Sequence, residues 1–228
     1  MVVNMPESLK LYFLENHLFA KFDSGRIWLL DTGAPTSFGM RSVNIGGRDF
    51  ELQMDYMGMS AEKLSEYVGV ECSGLLGMDI LGEFDHLWDL REGVWEVSEH
   101  TESCNGVTVE LDEFMSIPIC SAEVNGVKRR LFFDTGAKIS YLVPQLTEGS
   151  TSVGEERDFY PGFGEFMTQV YEMPLKMGGT DRLMSFGVLP PLLGPTLSMA
   201  GVEGILGNEI LSGRKILFSP RKKTLCIN

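Results

Sequence analysis

The chain has 228 residues, of which 43% are apolar and 22% are charged, and its formal net charge is -13. This composition is that of an ordinary globular protein, and it excludes a fibre or a disordered chain. Because nucleic-acid-binding proteins carry clustered basic surface, so acidic a chain is not expected to bind nucleic acid.

The chain begins MVVNMPESLK, in which no apolar segment follows a basic one, so the sequence predicts no secretory signal. The least charged stretch, residues 183–202, contains three prolines that would break a membrane helix. We therefore expect a cytoplasmic protein with no membrane partner. In that compartment the cysteines would be reduced and simply packed: Cys72, Cys104, Cys120 and Cys226.

Short strand-like runs dominate the first part of the chain: LYFL, RIWLL, FELQM, LWDL and VWEV. One short helix is predicted over 61–67, with Ser60 as its N-cap. A polar segment over 98–106 follows and ends in the turn dipeptide Asn-Gly. Beyond it the strand-like runs resume as RRLFF, FMTQVY, KILF and TLCI.

The two parts of the chain repeat one another. Residues 26–38 read RIWLLDTGAPTSF and residues 129–141 read RRLFFDTGAKISY. Each apolar run ends in Asp-Thr-Gly-Ala, so Asp31 and Asp134 occupy equivalent positions. A single tripeptide arises easily by chance, whereas a doubled motif in the same context indicates an internal repeat.

Further matches follow downstream in the same order. GLLGMDIL at 74–81 matches GILGNEIL at 204–211. Two other pairs of segments also match: 43–52 with 175–184, and 86–97 with 216–227. The sequence therefore predicts an all-β chain made of two homologous halves, residues 1–100 and 104–228.

The second half carries an insertion that the first half lacks. Residues 157–171 read RDFYPGFGEFMTQVY, with two apolar-aromatic runs around Pro-Gly-Phe-Gly. This pattern predicts a β-hairpin with a glycine-rich tip. The first half has only the four residues GMRS, 39–42, in the corresponding place.

Two Asp-Thr-Gly-Ala motifs, each followed by hydrophobic-hydrophobic-Gly, resemble the pepsin and retropepsin superfamily of aspartic peptidases. The resemblance implies a bilobal fold of two retropepsin-like β-barrel halves related by a pseudo-two-fold axis. It implies that Asp31 and Asp134 are catalytic, that the monomer is active, and that the substrate is a peptide or protein. No metal ion or cofactor is expected. Four neighbours would support the two active-site loops: Thr32, Gly33, Thr135 and Gly136.

Two carboxyl groups held close together can hydrolyse a peptide bond, because like charges prevent both from ionising and the pair shares one proton. The ionised carboxyl acts as a general base toward water, and the protonated one polarises the substrate carbonyl. Ala34 and Ala137 stand where pepsin-like enzymes often have serine. With that hydrogen-bond donor missing, we expect the pair to titrate higher and activity to peak in mildly acidic to near-neutral solution.

The hairpin at 157–171 resembles the flap that closes over substrate in this superfamily. Tyr160 and Phe163 are then candidates for substrate contact, the alternative being aromatic residues that only stabilise the hairpin. Asp79 and Glu209 are predicted to be structural and to cap short helices. Two other functions stay open from sequence: a catalytically silent peptide-binding or adaptor protein, and a structural interaction protein.

Overall fold

The computed structural model describes residues 7–22, 24–99, 104–161 and 163–228, and strands dominate it. The strands before residue 100 are β1 (Glu7–Leu14), β2 (His17–Lys21), β3 (Ile27–Leu30), β4 (Phe38–Gly39), β5 (Ser42–Ile45), β6 (Arg48–Glu51), β7 (Asp55–Tyr56), β8 (Met59–Ser60), β9 (Gly74–Leu76), β10 (Asp85–Asp89) and β11 (Val94–Ser98). The later strands are β12 (Val107–Glu110), β13 (Asp112–Phe114), β14 (Ile117–Val124), β15 (Val127–Phe133), β16 (Ser140–Leu142), β17 (Gly154–Tyr160), β18 (Gly164–Met177), β19 (Thr180–Val188), β20 (Gly204–Leu206), β21 (Lys215–Ser219) and β22 (Thr224–Ile227). The helices are α1 (Ala61–Val68), α2 (Met78–Leu81) and α3 (Gly194–Ala200). The prediction of an all-β chain is confirmed.

Two large sheets organise the fold. A ten-stranded sheet has the order β12-β22-β21-β10-β11-β1-β2-β3-β9-β4, and an eight-stranded sheet has the order β13-β14-β15-β20-β16-β19-β18-β17. The ten-stranded sheet combines strands from both parts of the chain, because β10 pairs with β21 and places Trp88 opposite Ile216. The strand before each Asp-Thr-Gly runs parallel to the strand of a hydrophobic-hydrophobic-Gly segment, β3 beside β9 and β15 beside β20.

The segments that match in sequence also match in local structure. The Gly-Gly pair at 46–47 closes the β5–β6 hairpin, and the pair at 178–179 closes the β18–β19 hairpin. All four glycines have positive φ, between 54° and 77°, as two-residue hairpin loops require. The predicted strand-turn-strand units at 86–97 and 216–227 form β10–β11 and β21–β22.

An aromatic cluster fills the core where β10 meets β21. The three tryptophans, Trp28, Trp88 and Trp95, are buried. Trp88 stacks on Phe218 with their ring centroids 5.4 Å apart, which joins the two strands through side chains as well as backbone. Each such ring removes on the order of 150–250 Å² from water, so this cluster is a main source of stability.

The predicted helix is present as α1, one residue longer than expected. The Ser60 side chain accepts a hydrogen bond from the backbone N–H of Lys63, and Gly69 ends the helix in the left-handed conformation. Leu64 and Val68 form its buried face. Within the described residues, none of the helices is both long and apolar enough to cross a membrane.

The prediction of four reduced cysteines is wrong for two of them. Cys104 and Cys226 form a disulfide, with Cα atoms 6.3 Å apart, while Cys72 and Cys120 are free and buried as expected. The cause is the antiparallel pairing of β12 with β22, which brings positions separated by 122 residues side by side.

Residues 100–103, in the predicted join, lie outside the described residues, and the division into two halves stays a prediction.

Candidate active site

Asp31 and Asp134 lie in two loops that are held by the same backbone hydrogen bonds. The N–H of Asp31 donates to the Leu76 carbonyl at 2.9 Å, and the N–H of Asp134 donates to the Leu206 carbonyl at 3.0 Å. Each hydrophobic-hydrophobic-Gly strand therefore fixes the point at which its aspartate leaves the sheet.

Thr32 and Thr135 cross-link the two loops. The N–H of each threonine donates to the hydroxyl oxygen of the other at 3.0 Å. The Thr32 hydroxyl donates to the Phe133 carbonyl at 2.7 Å, and the Thr135 hydroxyl donates to the Leu30 carbonyl at 2.8 Å. Both threonines are fully buried, so these four bonds are shielded from water and hold the loops in one relative position.

The glycines of the two motifs bring the carboxyl groups together. A Cβ atom added to Gly33 would overlap the carboxyl group of Asp134, and one added to Gly136 would overlap that of Asp31. Only glycine therefore permits this approach, in which the backbone of each loop packs on the carboxyl group of the other.

Backbone N–H groups orient both carboxyl groups. In each loop, the two residues that follow Asp-Thr donate to the Oδ1 atom of the aspartate. The four bonds are Gly33 (2.8 Å) and Ala34 (2.9 Å) to Asp31, and Gly136 (2.8 Å) and Ala137 (3.2 Å) to Asp134. Such bonds favour the ionised form of a carboxyl group.

At both aspartates, burial raises the pKa by more than those bonds lower it. Each aspartate nevertheless keeps part of its surface exposed. Desolvation raises the pKa of Asp31 well above its ordinary value, and the charge of Asp134 and a hydrogen bond to it add to the rise. Desolvation also raises the pKa of Asp134, and here the bond between the two carboxyls acts in the opposite direction. The pair therefore keeps a proton to higher pH than an isolated aspartate does.

The predicted hairpin is present as β17 and β18, and its two candidate residues differ in position. Tyr160 lies close enough to the aspartates that, after desolvation, the charges of Asp134 and Asp31 raise the pKa of its phenol. Phe163 is 50% exposed and packs edge-on against Phe166 of the same hairpin, with ring centroids 6.1 Å apart. The structure thus brings Tyr160 toward the aspartates and leaves Phe163 on the hairpin surface.

The hairpin reaches α1, a contact that the sequence did not predict. Phe159 stacks on Tyr67 with ring centroids 4.8 Å apart and an interplanar angle of 11°. At the base of the hairpin, Tyr141 donates a hydrogen bond to Asp158, and Lys138 pairs with Glu156 at 3.1 Å. These contacts join residues far apart in the chain, and no sequence pattern reports them.

Asp79 and Glu209 are structural, and only Asp79 binds the start of a short helix. Asp79 accepts hydrogen bonds from the N–H of Ile80, in the first turn of α2, at 3.0 Å and from the N–H of Ser37 at 2.9 Å. Glu209 accepts a hydrogen bond from the N–H of Ser185 at 2.9 Å, a residue that is distant in sequence. The N-cap of α2 itself is Gly77, which has no side chain to bond with. Across the described ranges, no group of three or more acidic, histidine or cysteine side chains is placed to hold a metal ion.

Comparisons with known proteins give little further information. No protein-family model matches the chain, and no curated protein matches it. Among solved structures, the chain is similar to EIAV protease complexed with the inhibitor HBY-793, with 21% sequence identity and a TM-score of 0.32. This alignment covers 42% of the present chain and 85% of the viral protease chain. At so low a TM-score the likeness supports no conclusion about function.

Proposed function

We propose that the chain is a bilobal aspartic endopeptidase in which Asp31 and Asp134 activate a water molecule between them. One observation carries the proposal: each Asp-Thr-Gly loop packs its glycine on the carboxyl group of the other loop. A protein that used these loops only as turns would not need two carboxyl groups facing each other, since that arrangement costs desolvation and repulsion. Carboxyl groups whose pKa values are shifted by burial and by a neighbouring charge are typical of active sites.

The geometry supports hydrolysis in two steps. The ionised carboxyl takes a proton from the water while the water oxygen bonds to the peptide carbon. The protonated carboxyl donates its hydrogen to the carbonyl oxygen of the peptide. A tetrahedral diol results. The amide nitrogen then receives a proton from the carboxyl that took it from water, the C–N bond breaks, and the other carboxyl recovers its proton. Because no covalent bond to the enzyme forms, Asp31 and Asp134 act only by proton transfer and hydrogen bonding.

The substrate that suits this site is an extended peptide with apolar side chains near the cleaved bond. The β17–β18 hairpin brings Tyr160 toward the aspartates, and Tyr56 of the β7–β8 hairpin is near enough to raise the pKa of that phenol further. Met57, at the tip of β7–β8, is 63% exposed. Methionine adapts its shape to varied apolar partners, so these residues favour broad specificity.

One chain supplies both carboxyls, so we propose that the monomer is active.

The test is cleavage of a randomised peptide library between pH 3 and pH 8. Wild type should cut in mildly acidic to near-neutral solution, while Asp31→Asn and Asp134→Asn should each lose all measurable activity. Asp181→Asn is the matched control, because Asp181 is an exposed surface carboxylate that pairs with Lys176. If wild type is folded and inert at every pH but still binds peptides, the silent peptide-binding function replaces the proposal.

A further inference from the structure

The two catalytic loops match in backbone but differ in what lies behind them. The side-chain Nδ2 atom of Asn208 donates to the Thr135 carbonyl at 2.6 Å and to the Asn16 carbonyl at 3.1 Å. Asn208 is fully buried. Because both partners are carbonyl oxygens, the amide nitrogen and not the amide oxygen must face them, which fixes the orientation of the side chain.

An apolar residue stands at the position equivalent to Asn208 in the first half of the chain. Met78 corresponds to Asn208 in the matched segments at 74–81 and 204–211. Across the described residues, no side chain donates a hydrogen bond to the carbonyl of Thr32 or of Gly33.

The bond from Asn208 acts on one of the two donors that hold Asp134. The Thr135 carbonyl and the Gly136 N–H belong to the same peptide group. A hydrogen bond at the carbonyl end of a peptide group polarises it and strengthens donation from its N–H end. The Gly136 N–H that donates to Asp134 is therefore strengthened, and the equivalent Gly33 N–H that donates to Asp31 is not.

We propose that Asn208 is a positioning residue that makes Asp134 the ionised carboxyl and Asp31 the protonated carboxyl of the pair. This inference rests on the proposed function and adds an assignment of roles to it. Asp134 would then be the general base toward water, and Asp31 the hydrogen-bond donor to the substrate carbonyl.

Other charged groups also act on Asp134, and the test must hold them constant. Asp158 of the β17–β18 hairpin opposes its ionisation, and the phenols of Tyr141 and Tyr160 lie within electrostatic range of it. Asp31 is the remaining neighbour. Within one background, substitution of Asn208 leaves these groups unchanged, so a difference between variants reports the donor behind the loop.

The decisive measurement is a 13C NMR titration of the remaining carboxyl in two inactive backgrounds, Asp31→Asn and Asp134→Asn. In the first background, adding Asn208→Leu should raise the pKa of Asp134 by about half a unit, because the charge-assisted bond from the Gly136 N–H loses part of its strength. In the second background, the same substitution should leave the pKa of Asp31 unchanged. Equal shifts in both backgrounds, or no shift in either, would overturn the inference.

Asn208→Met supplies a second variant in case Asn208→Leu does not fold, because methionine occupies the equivalent position 78. In the Asp31→Asn background, Asn208→Met loses the amide donor, so the pKa of Asp134 should rise. Asn208→Gln retains an N–H donor and should restore most of the original value. A rise with Gln as large as that with Met would contradict the inference. Since none of these proteins needs to cleave peptides, a failed cleavage assay and a failed assignment remain separate results.

Discussion

The threonine cross-link offers the sharpest test of how the two loops are held together. Thr32→Val preserves shape but removes the hydroxyl, which donates to the Phe133 carbonyl and accepts from the Thr135 N–H. Both of those backbone groups are then left in a fully buried site without their partner. An unsatisfied buried group costs about 1–3 kcal/mol, so we expect the free energy of unfolding to fall by about 2–5 kcal/mol.

The assay is urea unfolding with the disulfide intact, followed by fluorescence of the buried tryptophans. Thr32→Ser keeps the hydroxyl and should lose less than half as much free energy as Thr32→Val. Thr108→Val is the surface control, since Thr108 is exposed on β12, and it should change the free energy by less than about 0.5 kcal/mol. If Thr32→Val and Thr108→Val have equal effects, the cross-link does not stabilise the fold.

Three other predictions test the remaining features. Asp31→Asn should be more stable than wild type at pH 7: burial raises the folded-state pKa of Asp31, so wild type loses stability as the pH rises above the unfolded-state value. Chemical unfolding should show this gain vanish near pH 3. Tyr67→Ala, which removes the stack on the hairpin, should raise KM about three- to tenfold with little change in kcat, whereas Tyr67→Phe should retain the wild-type KM. Reduction of the Cys104–Cys226 disulfide should lower the free energy of unfolding by about 3–5 kcal/mol, because the bond closes a long loop. An unchanged urea midpoint after reduction would refute the last prediction.

The parts of the site that sequence could predict are those written in short contiguous motifs. Asp31 and Asp134, their threonines and their glycines each occupy three consecutive positions, and the motif occurs twice. The backbone bonds from the aspartates to β9 and β20 were predictable for the same reason, since those strands also carry matched motifs. Local chemistry sets the turn at each of these places, so a pattern of a few residues was enough.

Contacts between distant residues were beyond the sequence. The stack of Tyr67 on Phe159 joins a helix to a hairpin, and the disulfide of Cys104 depends on the pairing of β12 with β22. Asp79 shows the same limit: its bond to the first turn of α2 is local, but its bond to Ser37 joins residues 42 positions apart. Each of these contacts is decided by which strands become neighbours, and a single sequence does not encode that order in any local pattern.

The surroundings of the two carboxyls are not identical, and that is why the carboxyls can differ. In a symmetric pair both aspartates would have the same neighbours, and neither would hold the proton preferentially. In this chain the β17–β18 hairpin brings Asp158 toward Asp134, where its charge opposes ionisation. Asn208 donates to the Thr135 carbonyl of the same loop, and on the proposed assignment this bond favours ionisation. The hairpin and Asn208 are thus two features on one side of the pair with opposite effects on the same carboxyl, and the second offsets the first.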